Sequence, residues 1–357
     1  MHKLKVSFAV IAPIIGVIVA MVLLWNQYVF TSDLILLAVF YVLTVLGITI
    51  GYHRMLTHQG FQTFWPVRLF FLICGAMAWE GTPSQWAATH IRHHAHSDEE
   101  GDPHSPLEGF WHAHFGWLFM LSNIEDPKKY APQLLKDPVV RFVDKTILVW
   151  FVLSLALPFA LGGWTGLVWG GFVRIFLMNH VTWSVNSICH TFGKKDFQTT
   201  DESRNHWVVG LLALGEGWHN NHHAFPKSAF HGLKWWQVDG SGLLIALMEK
   251  LGLVWKVERV SPKALQAKES QDHATRSMLG ELREKLMHSI QEKREALAHH
   301  PALEKKYQQM SDRLETIQKY LEKKKSWKRH TLLAYEKEIK HLTEVLADAG
   351  LLAFARS

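Results

Sequence analysis

Nine histidines carry most of the chemistry that this sequence can perform. They fall into three short boxes, and one further histidine stands between the second box and the third. The nine are His53 and His58, then His90, His93 and His94, then the separate His190, and finally His219, His222 and His223. Imidazole nitrogen is a suitable ligand for iron, zinc, copper and nickel. Because one metal ion cannot use nine imidazoles and two ions can, the pattern indicates a two-metal redox centre.

The spacing within the boxes is typical of ligands on helices. Residues four apart share one face of a helix, and this spacing occurs three times: His90 with His94, His219 with His223, and Asn186 with His190. The middle histidines His93 and His222 point slightly aside from these pairs. Each of the two later boxes can therefore serve both metal ions.

Composition points to a membrane protein. The chain has 357 residues, of which 48% are hydrophobic, and it contains 16 Trp, a residue enriched at bilayer interfaces. Its net charge of +6 comes from basic residues spread through loops and through a C-terminal segment that is equally acidic. A basic cytoplasmic membrane face explains this charge better than a nucleic-acid partner does. The two cysteines argue against a disulfide framework.

Four apolar runs are long enough to cross a bilayer, which takes about 20 residues of helix. They pair into two hairpins, residues 6–24 with 34–50 and residues 147–164 with 167–183, the second with Gly162, Gly163 and Gly166 at its turn. The second helix of each hairpin is expected to continue past the membrane, to His58 and to His190. Neither turn contains Lys or Arg, so the positive-inside rule places both termini and all the histidines in the cytoplasm. A shorter run at 67–79 predicts an interfacial or re-entrant helix. We therefore expect an all-α integral membrane protein with four transmembrane helices and a cytoplasmic helical cap that holds the metal centre.

A change of composition at Pro262 predicts two domains, residues 1–261 and residues 262–357. The second is charged and rich in Glu, Lys, Ala and Leu. Its apolar residues step alternately by four and three, as in a short heptad seam, at Leu303, Tyr307, Met310, Leu314, Ile317 and Leu321. We expect a solvated helical hairpin here rather than a dedicated partner-binding coiled coil.

The sequence lacks the motifs that mark several other kinds of chemistry. The chain has no His-Glu-x-x-His, no Cys pair for structural zinc, no P-loop, no Gly-rich dinucleotide motif and no Ser nucleophile elbow. Electrons for a redox reaction must therefore come from outside the chain. Hydrogen-bonding roles around the ligands suit six further histidines, His96, His104, His112, His114, His180 and His206, and His231 has a structural role in this interpretation.

Five segments are highly specific when taken together. They are Gly51-Tyr-His-Arg-Met-Leu-Thr-His58, Trp86-Ala-Ala-Thr-His-Ile-Arg-His-His94, Asp102-Pro-His104, Thr182-Trp-Ser-Val-Asn-Ser-Ile-Cys-His190 and Gly215-Glu-Gly-Trp-His-Asn-Asn-His-His223. With them the sequence resembles the membrane fatty acid desaturases, specifically the bacterial members of the Δ9, stearoyl-CoA desaturase-like group. The resemblance runs from about Leu34 to about Pro262.

The resemblance implies a di-iron site and O2-dependent formation of a cis double bond, at Δ9, in a saturated acyl chain. One iron would be held by His53, His58, His90, His94 and His223. The other would be held by His93, His190, His219 and His222, with Asn186 reaching it through a water. Two electrons would come from an external donor such as cytochrome b5 or ferredoxin with its reductase. The expected location is the inner membrane of a bacterium.

The same resemblance implies that Trp86, Thr182 and Trp183 line a bent tunnel for the acyl chain, although ordinary core packing is the alternative for the two tryptophans. Animal acyl-CoA desaturases carry Arg-Asp where this chain has Ala88 and Thr89. This departure weakens the case for a CoA head-group clamp of the animal type and makes a lipid-linked chain a serious option, and the sequence leaves the acyl carrier open between CoA, a membrane lipid and an acyl-carrier protein. Two other hypotheses stay open: a membrane di-iron hydroxylase that uses the same histidines, and a metal-binding transporter or sensor.

Overall fold

The computed structural model describes residues 2–120 and 126–268, together with positions 281, 284, 288, 309, 312, 337 and 341, which are helical and exposed. The predicted heptad seam lies outside the described residues. The chain divides into two compact units. One comprises Met1–Asp196 and Asp201–Val260, and the other comprises Phe197–Thr200 and Ser261–Ser357. All the elements described below belong to the first unit.

The first half of this unit contains two long helices followed by shorter ones. In chain order they are α1 (His2–Trp25), α2 (Thr31–Leu46), the π-helix π1 (Gly47–Thr57), the strand β1 (Gln62–Thr63), α3 (Trp65–Ala76), α4 (Pro83–His96), α5 (Phe110–His114), α6 (Pro127–Tyr130) and α7 (Pro138–Lys145). Short 3₁₀ turns at Pro106–Glu108, Gly116–Phe119 and Leu134–Lys136 connect them.

The second half begins with another long helical stretch. It contains α8 (Ile147–Gly166), the π-helix π2 (Leu167–Val173), α9 (Arg174–Thr191), α10 (Trp207–Leu212), α11 (His219–Ala224), α12 (Gly240–Lys250) and the strand β2 (Val254–Trp255). Strands β1 and β2 pair antiparallel, with Gln62 opposite Trp255. The described part of the chain is therefore mostly helical, as the sequence predicted.

Among the described residues, three stretches are long and apolar enough to cross a membrane: Val6–Trp25, Thr31–Thr57 and Ile147–Thr191. Large apolar side chains along the first of them stay exposed, and Ile11, Ile15 and Ile18 keep 51%, 55% and 56% of their surface accessible. An apolar surface of this extent is unsuited to water and suited to lipid.

The third stretch turns back on itself at Gly163, within the glycine cluster where the sequence predicted a turn. Gly163 has φ 60° and ψ −146°, a combination that a residue with a Cβ atom rarely adopts. Beyond it, π2 packs closely against α8: a Cβ built on Gly170 would lie 3.0 Å from Pro158 Cβ, and one on Gly171 would lie 3.1 Å from Leu155 Cδ2. The chain therefore runs in opposite directions on the two sides of this turn.

The short apolar run predicted at 67–79 forms the helix α3. Its 12 residues span only about 18 Å at 1.5 Å per residue, which is less than the hydrocarbon thickness of about 30 Å. The next helix, α4, carries the second histidine box. Thr82 caps its first turn by accepting a hydrogen bond from Gln85 N, and Pro83 occupies its first position, where a missing N–H costs no hydrogen bond.

Candidate metal centre

The nine histidines converge in two clusters, in each of which the candidate ligand atoms lie within 4.8 Å of one another. The five-histidine cluster consists of His53, His58, His90, His94 and His222, and the four-histidine cluster consists of His93, His190, His219 and His223. Each cluster draws residues from several helices. The fold therefore brings together all nine residues that the sequence singled out.

The predicted division between the two metal ions is wrong for His222 and His223, which exchange places. His222 Nε2 lies 2.9 Å from His94 Nε2 and 3.1 Å from His53 Nε2. His223 Nε2 lies 3.0 Å from His219 Nε2. The physical reason is the spacing on α11, where His219 and His223 are four residues apart and share a face, whereas His222 points toward the other cluster.

A π-helix explains why the first box is spaced differently from the others. His53 and His58 are five residues apart, which in an α-helix would separate their side chains by about 140° around the axis. In π1 the hydrogen bonds run from residue i to residue i+5, and His58 N donates to His53 O at 3.0 Å. This brings the two imidazole centroids to 4.7 Å. The sequence predicted that the second helix would continue to His58, but not its π geometry.

Four of the nine imidazole rings contact a buried carboxylate through their Nδ1 atom. The Nδ1 atoms contact their partners at 2.6 Å (His53 with Glu216), 3.0 Å (His93 with Asp102), 2.8 Å (His190 with Asp98) and 2.6 Å (His223 with Asp201). Such carboxylates fix ring orientation and raise ligand basicity. The sequence-based prediction missed all four acids. The signal that could have found them is their position in or beside the boxes, together with the rule that a ligating histidine usually has a partner on its second nitrogen.

Burial keeps six of the nine imidazoles uncharged. Burial, reinforced by the neighbouring imidazoles, lowers the pKa well below its ordinary value at His58, His90, His94, His219 and His222. Burial also lowers the pKa of His223, to about 4, against the opposing influence of Asp201. A neutral imidazole is the form that binds a metal ion, so these rings are ready to act as ligands at neutral pH.

The supporting carboxylates are ionised in the same surroundings. Burial alone would raise their pKa values, but their histidine partners outweigh it and hold the pKa of Asp98, Asp102 and Asp201 below the ordinary range. The pKa of Glu216 is well below its usual value because His53, His231 and Arg54 surround it. The site therefore combines neutral ligands with fixed anions.

Glu216 also ties the first box to the third. Its Oε1 accepts from Arg54 Nη2 at 3.0 Å, and its Oε2 contacts His53 Nδ1 at 2.6 Å. The guanidinium of Arg54 is fully buried. Its Nη1 also donates hydrogen bonds to Asp239 Oδ2 at 2.9 Å and to the carbonyl oxygen of Ala229 at 2.9 Å. A buried charge of this kind is tolerated only when it is paired and hydrogen-bonded, so this network fixes π1 against the segment that precedes α11.

The residues present fit a pair of metal ions. The Nε2 atoms of His58 and His93 are buried and have no hydrogen-bond partner among the described residues. Several other Nε2 atoms face one another at about 3 Å, as His190 and His219 do at 3.0 Å. Ring nitrogens that converge in this way are suited to a cation at the centre of each cluster.

A cavity of about 310 Å³ lies beside the two clusters. Its lining includes His53 and His90 of the five-histidine cluster and His219 of the four-histidine cluster. The rest is mainly apolar and aromatic and includes the three predicted tunnel residues, Trp86, Thr182 and Trp183, as well as Asn186. An apolar ligand held in this cavity would contact both clusters.

Some of the remaining histidines make polar contacts, and those of His104 and His231 reach carboxylates that support the ligands. His104 lies beside Asp102, 3.7 Å from its Oδ1, and His114 joins His180 and Ser187, each at 2.9 Å. His206 accepts from Val209 N at the start of α10. His231 lies 3.4 Å from Glu216 and therefore supports the metal centre.

These features define a class, that of helical proteins with membrane-suited spans and two buried histidine clusters beside an apolar cavity. The chain belongs to the fatty acid desaturase family, because residues 8–239 match the family model described as fatty acid desaturase. It is accordingly a desaturase, an oxidoreductase of lipid metabolism.

Three curated relatives illustrate the likeness. The "Hex-5-enoyl-[acyl-carrier protein] acetylenase" of Moorena producens (strain JHB) is 41% identical over 281 residues, which is 72% of this chain and 87% of the relative. The "sn-1 stearoyl-lipid 9-desaturase" of Anabaena variabilis is 44% identical over 220 residues, or 61% and 80%. The "Palmitoyl-monogalactosyldiacylglycerol delta-7 desaturase, chloroplastic" of Arabidopsis thaliana is 40% identical over 257 residues, or 71% and 69%.

Proposed function

We propose that this protein inserts a cis double bond at the Δ9 position of a saturated acyl chain, using O2 and two electrons from an external donor. The observation that carries the proposal is the apolar cavity, whose lining includes ligands of both histidine clusters. Two iron ions, when bound, would supply the oxidising power that an unactivated C–H bond requires. Zinc could fill the same sites but could not supply it, because zinc does not change oxidation state.

The nine histidines divide five to four between the two irons in this proposal. The smaller set leaves room for Asn186 to take part through a water molecule. Asn186 lies one turn before His190 on α9 and lines the cavity. The carboxylates on four of the rings hold the imidazoles in the orientation and tautomer that present Nε2 to the metal.

The cavity residues hold the chain, because a saturated chain offers the protein no polar handle. Regioselectivity must therefore come from a fixed bend that places one carbon–carbon bond near the irons. Trp86 stacks on His90 with ring centroids 5.0 Å apart, so a chain packed on this indole lies beside a ligand. Thr182 and Trp183 line the cavity from α9, and the apolar walls exclude bulk water.

The proposed topology has four crossings in two hairpins. The three apolar stretches and the turn at Gly163 support it. The clusters lie toward the ends of these stretches, since His53 is in π1 and His190 is in the last turn of α9. With α3 in the interface, all nine histidines share the cytoplasmic face of a bacterial inner membrane, where cytochrome b5, ferredoxin or a similar donor can reach them.

The acyl carrier is CoA, a membrane lipid or an acyl-carrier protein. The names of the curated relatives include carriers of all three kinds, as in "Acyl-CoA C20 Delta5-desaturase", "sn-1 stearoyl-lipid 9-desaturase" and "Hex-5-enoyl-[acyl-carrier protein] acetylenase". In this chain Ala88 and Thr89 are buried on α4, and neither side chain offers a cation to a CoA head group. This favours a lipid-linked chain.

The test is expression in a bacterial host that lacks Δ9 unsaturation, with fatty acids analysed by lipid class and iron measured on the purified protein. We expect a Δ9 cis product that appears first in the class of the true carrier, and two irons per chain. A variant with His93→Ala and His222→Ala should stay in the membrane without making product. A hydroxylated product would identify a hydroxylase, and unsaturation that persists in this variant would favour a transporter or sensor.

The tunnel assignment has its own test in the same host. Trp183→Ala enlarges the cavity next to the bend, so it should change the double-bond position or the preferred chain length. Trp235→Ala is the matched control, because Trp235 is 97% exposed and does not line the cavity. Unchanged product positions in Trp183→Ala would remove Trp183 from the tunnel.

A further inference from the structure

Glu80 directs a carboxyl group into the cavity from the turn between α3 and α4. The residues on both sides of it have positive φ, 67° at Trp79 and 99° at Gly81, and such values in a non-glycine residue persist only where the surroundings enforce them. The indole of Trp79 donates to Ser154 Oγ at 2.8 Å, and the hydroxyl of Tyr52 lies 3.4 Å from the Gly81 carbonyl oxygen. The turn is thus held on both sides, and the side chain of Glu80 points inward.

The carboxyl of Glu80 lies between two helices that line the cavity. Its Oε2 accepts a hydrogen bond from Trp86 Nε1 on α4 at 2.9 Å, and Thr182 on α9 lies close enough to lower the pKa of the carboxyl. Its Oε1 is buried and has no hydrogen-bond partner among the described residues. Glu80 therefore lies between the same two side chains that are proposed to line the bend.

An ionised carboxylate would be unsuited to this place. None of the described residues that line the cavity is Lys or Arg. The titratable groups that share the cavity with Glu80 are His53, His90, His104, His219 and Glu216. Tyr52 reaches Gly81 beside it, and Asp144 on α7 is turned to Ser84. Burial raises the pKa of Glu80 to about 7, partly offset by the hydrogen bond from Trp86 and by the nearby Thr182.

We propose that Glu80 acts as an uncharged carboxylic acid, a positioning residue that joins Trp86 to Thr182 and fixes where the acyl chain bends. The inference rests on the proposed function and adds to it a protonation requirement within the tunnel. In its neutral form the group accepts from the indole and keeps a proton on the carboxyl. In its anionic form Glu80 places an unpaired charge against an alkyl chain, which is strongly unfavourable. The acyl chain then no longer binds in the tunnel.

The experiment compares wild type with Glu80→Gln, which keeps the shape and the hydrogen bonds but does not titrate. Permeabilised host cells are labelled with deuterated stearate without oxygen, so that every carrier is loaded, and are then opened to air in buffers from pH 6 to pH 8. Because both proteins use the same donor, the ratio of their rates removes the pH dependence of electron supply. For a group with a pKa of about 7, the ratio of Glu80→Gln to wild type should rise about tenfold over this range.

Asp144→Asn is the matched control. Asp144 is another partly buried acid whose pKa burial raises, but it bonds Ser84 N at 3.3 Å and does not line the cavity. Its ratio to wild type should stay constant with pH. A constant ratio for Glu80→Gln would overturn the proposal.

A second variant tests the bridge itself. Glu80→Leu fills the space without hydrogen bonds, so we expect a mixture of double-bond positions while Glu80→Gln keeps the wild-type position. Membrane level and iron content measured on each variant separate this effect from misfolding, and the pH ratio stands even if Glu80→Leu does not fold. A single unchanged position in Glu80→Leu would contradict the bridge, whereas wild type without any unsaturated product would contradict the proposed function instead.

Discussion

The two histidine clusters are held in different ways. In the four-histidine cluster, three of the four rings carry an Asp on Nδ1, whereas in the five-histidine cluster one ring of five carries a carboxylate, Glu216. The five rings instead pack on one another and on Trp86, with His53 and His90 centroids 4.5 Å apart. Because a carboxylate raises the basicity of an imidazole ligand, the cluster with fewer ligands has the stronger ones. Ligand number and ligand strength thus offset each other.

The largest effect on product formation is expected when a single ligand histidine is removed from either cluster. His222→Ala leaves four imidazoles in the five-histidine cluster, and His223→Ala leaves three in the other. Both should lower product by more than about 100-fold, because oxidation of the chain needs both irons. Iron content should separate them: close to two irons per chain in His222→Ala and close to one in His223→Ala.

His206→Ala is the control for these variants, because His206 caps α10 and belongs to neither cluster. It should keep both irons and most of the product. The reverse pattern of iron loss would mean that the two residues are divided as the family resemblance implied, and not as the structure places them.

Removing the carboxylates gives the next largest effect. Asp102→Asn and Asp201→Asn should each weaken iron binding by about 10–100-fold, the usual result of losing a partner behind a ligating histidine. Only one iron should become labile, since both acids support the four-histidine cluster. Iron retention during dialysis against a chelator measures this loss. Asp196→Asn is the control, because Asp196 pairs with Lys234 at 2.8 Å and does not support either cluster.

Glu216→Gln extends the comparison to the other cluster. It should release iron from the five-histidine cluster. It should also lower the amount of folded protein, because Arg54 would keep Asp239 alone as an anionic partner and a half-paired buried charge is strongly destabilising. Equal chelator resistance in Glu216→Gln and wild type would show that packing alone holds the five-histidine cluster.

Much of this arrangement follows from local rules that a sequence displays. Apolar runs predict the long helices because lipid-facing segments need unbroken apolar length, and the glycines at 162, 163 and 166 predict the turn near the end of α8. The four-residue spacing predicts that His90 pairs with His94. Applied to α11, the same rule pairs His219 with His223, and the structure agrees. The division implied by the family resemblance, which put His219 with His222, was wrong.

What the sequence does not predict depends on tertiary contacts. The π geometry of π1 is rare among helices, and here it accompanies the contacts of Tyr52, His53 and Arg54 with distant partners. The partners of His190 and His223, Asp98 and Asp201, are 92 and 22 residues away along the chain. In the sequence Glu80 is an ordinary acidic residue of a loop, and only the fold shows that it lines the cavity.

Acidification should have the smallest effect and should also distinguish the clusters. His223, with a pKa lowered to about 4 from an ordinary 6.5, binds a proton more readily in the unfolded chain than in the folded one. Its contribution to folding is therefore present in full above about pH 6.5 and is lost as the pH falls toward 4, a change on the order of 3 kcal/mol. Asp201 has a lowered pKa, so its contribution persists through this range and disappears only below its ordinary value near 3.9.

The measurement is the thermal unfolding midpoint of iron-free protein in detergent between pH 7.5 and pH 4.5. The midpoint of wild type should fall progressively below about pH 6.5. The pKa of His94 is lowered further, to well below 6.5, and no carboxylate opposes that shift, whereas Asp201 opposes it at His223. His94→Gln should therefore flatten the pH dependence more than His223→Gln does. An identical slope in the two variants would mean that the carboxylates do not distinguish the clusters, and a midpoint independent of pH would mean that the buried imidazoles are not held neutral.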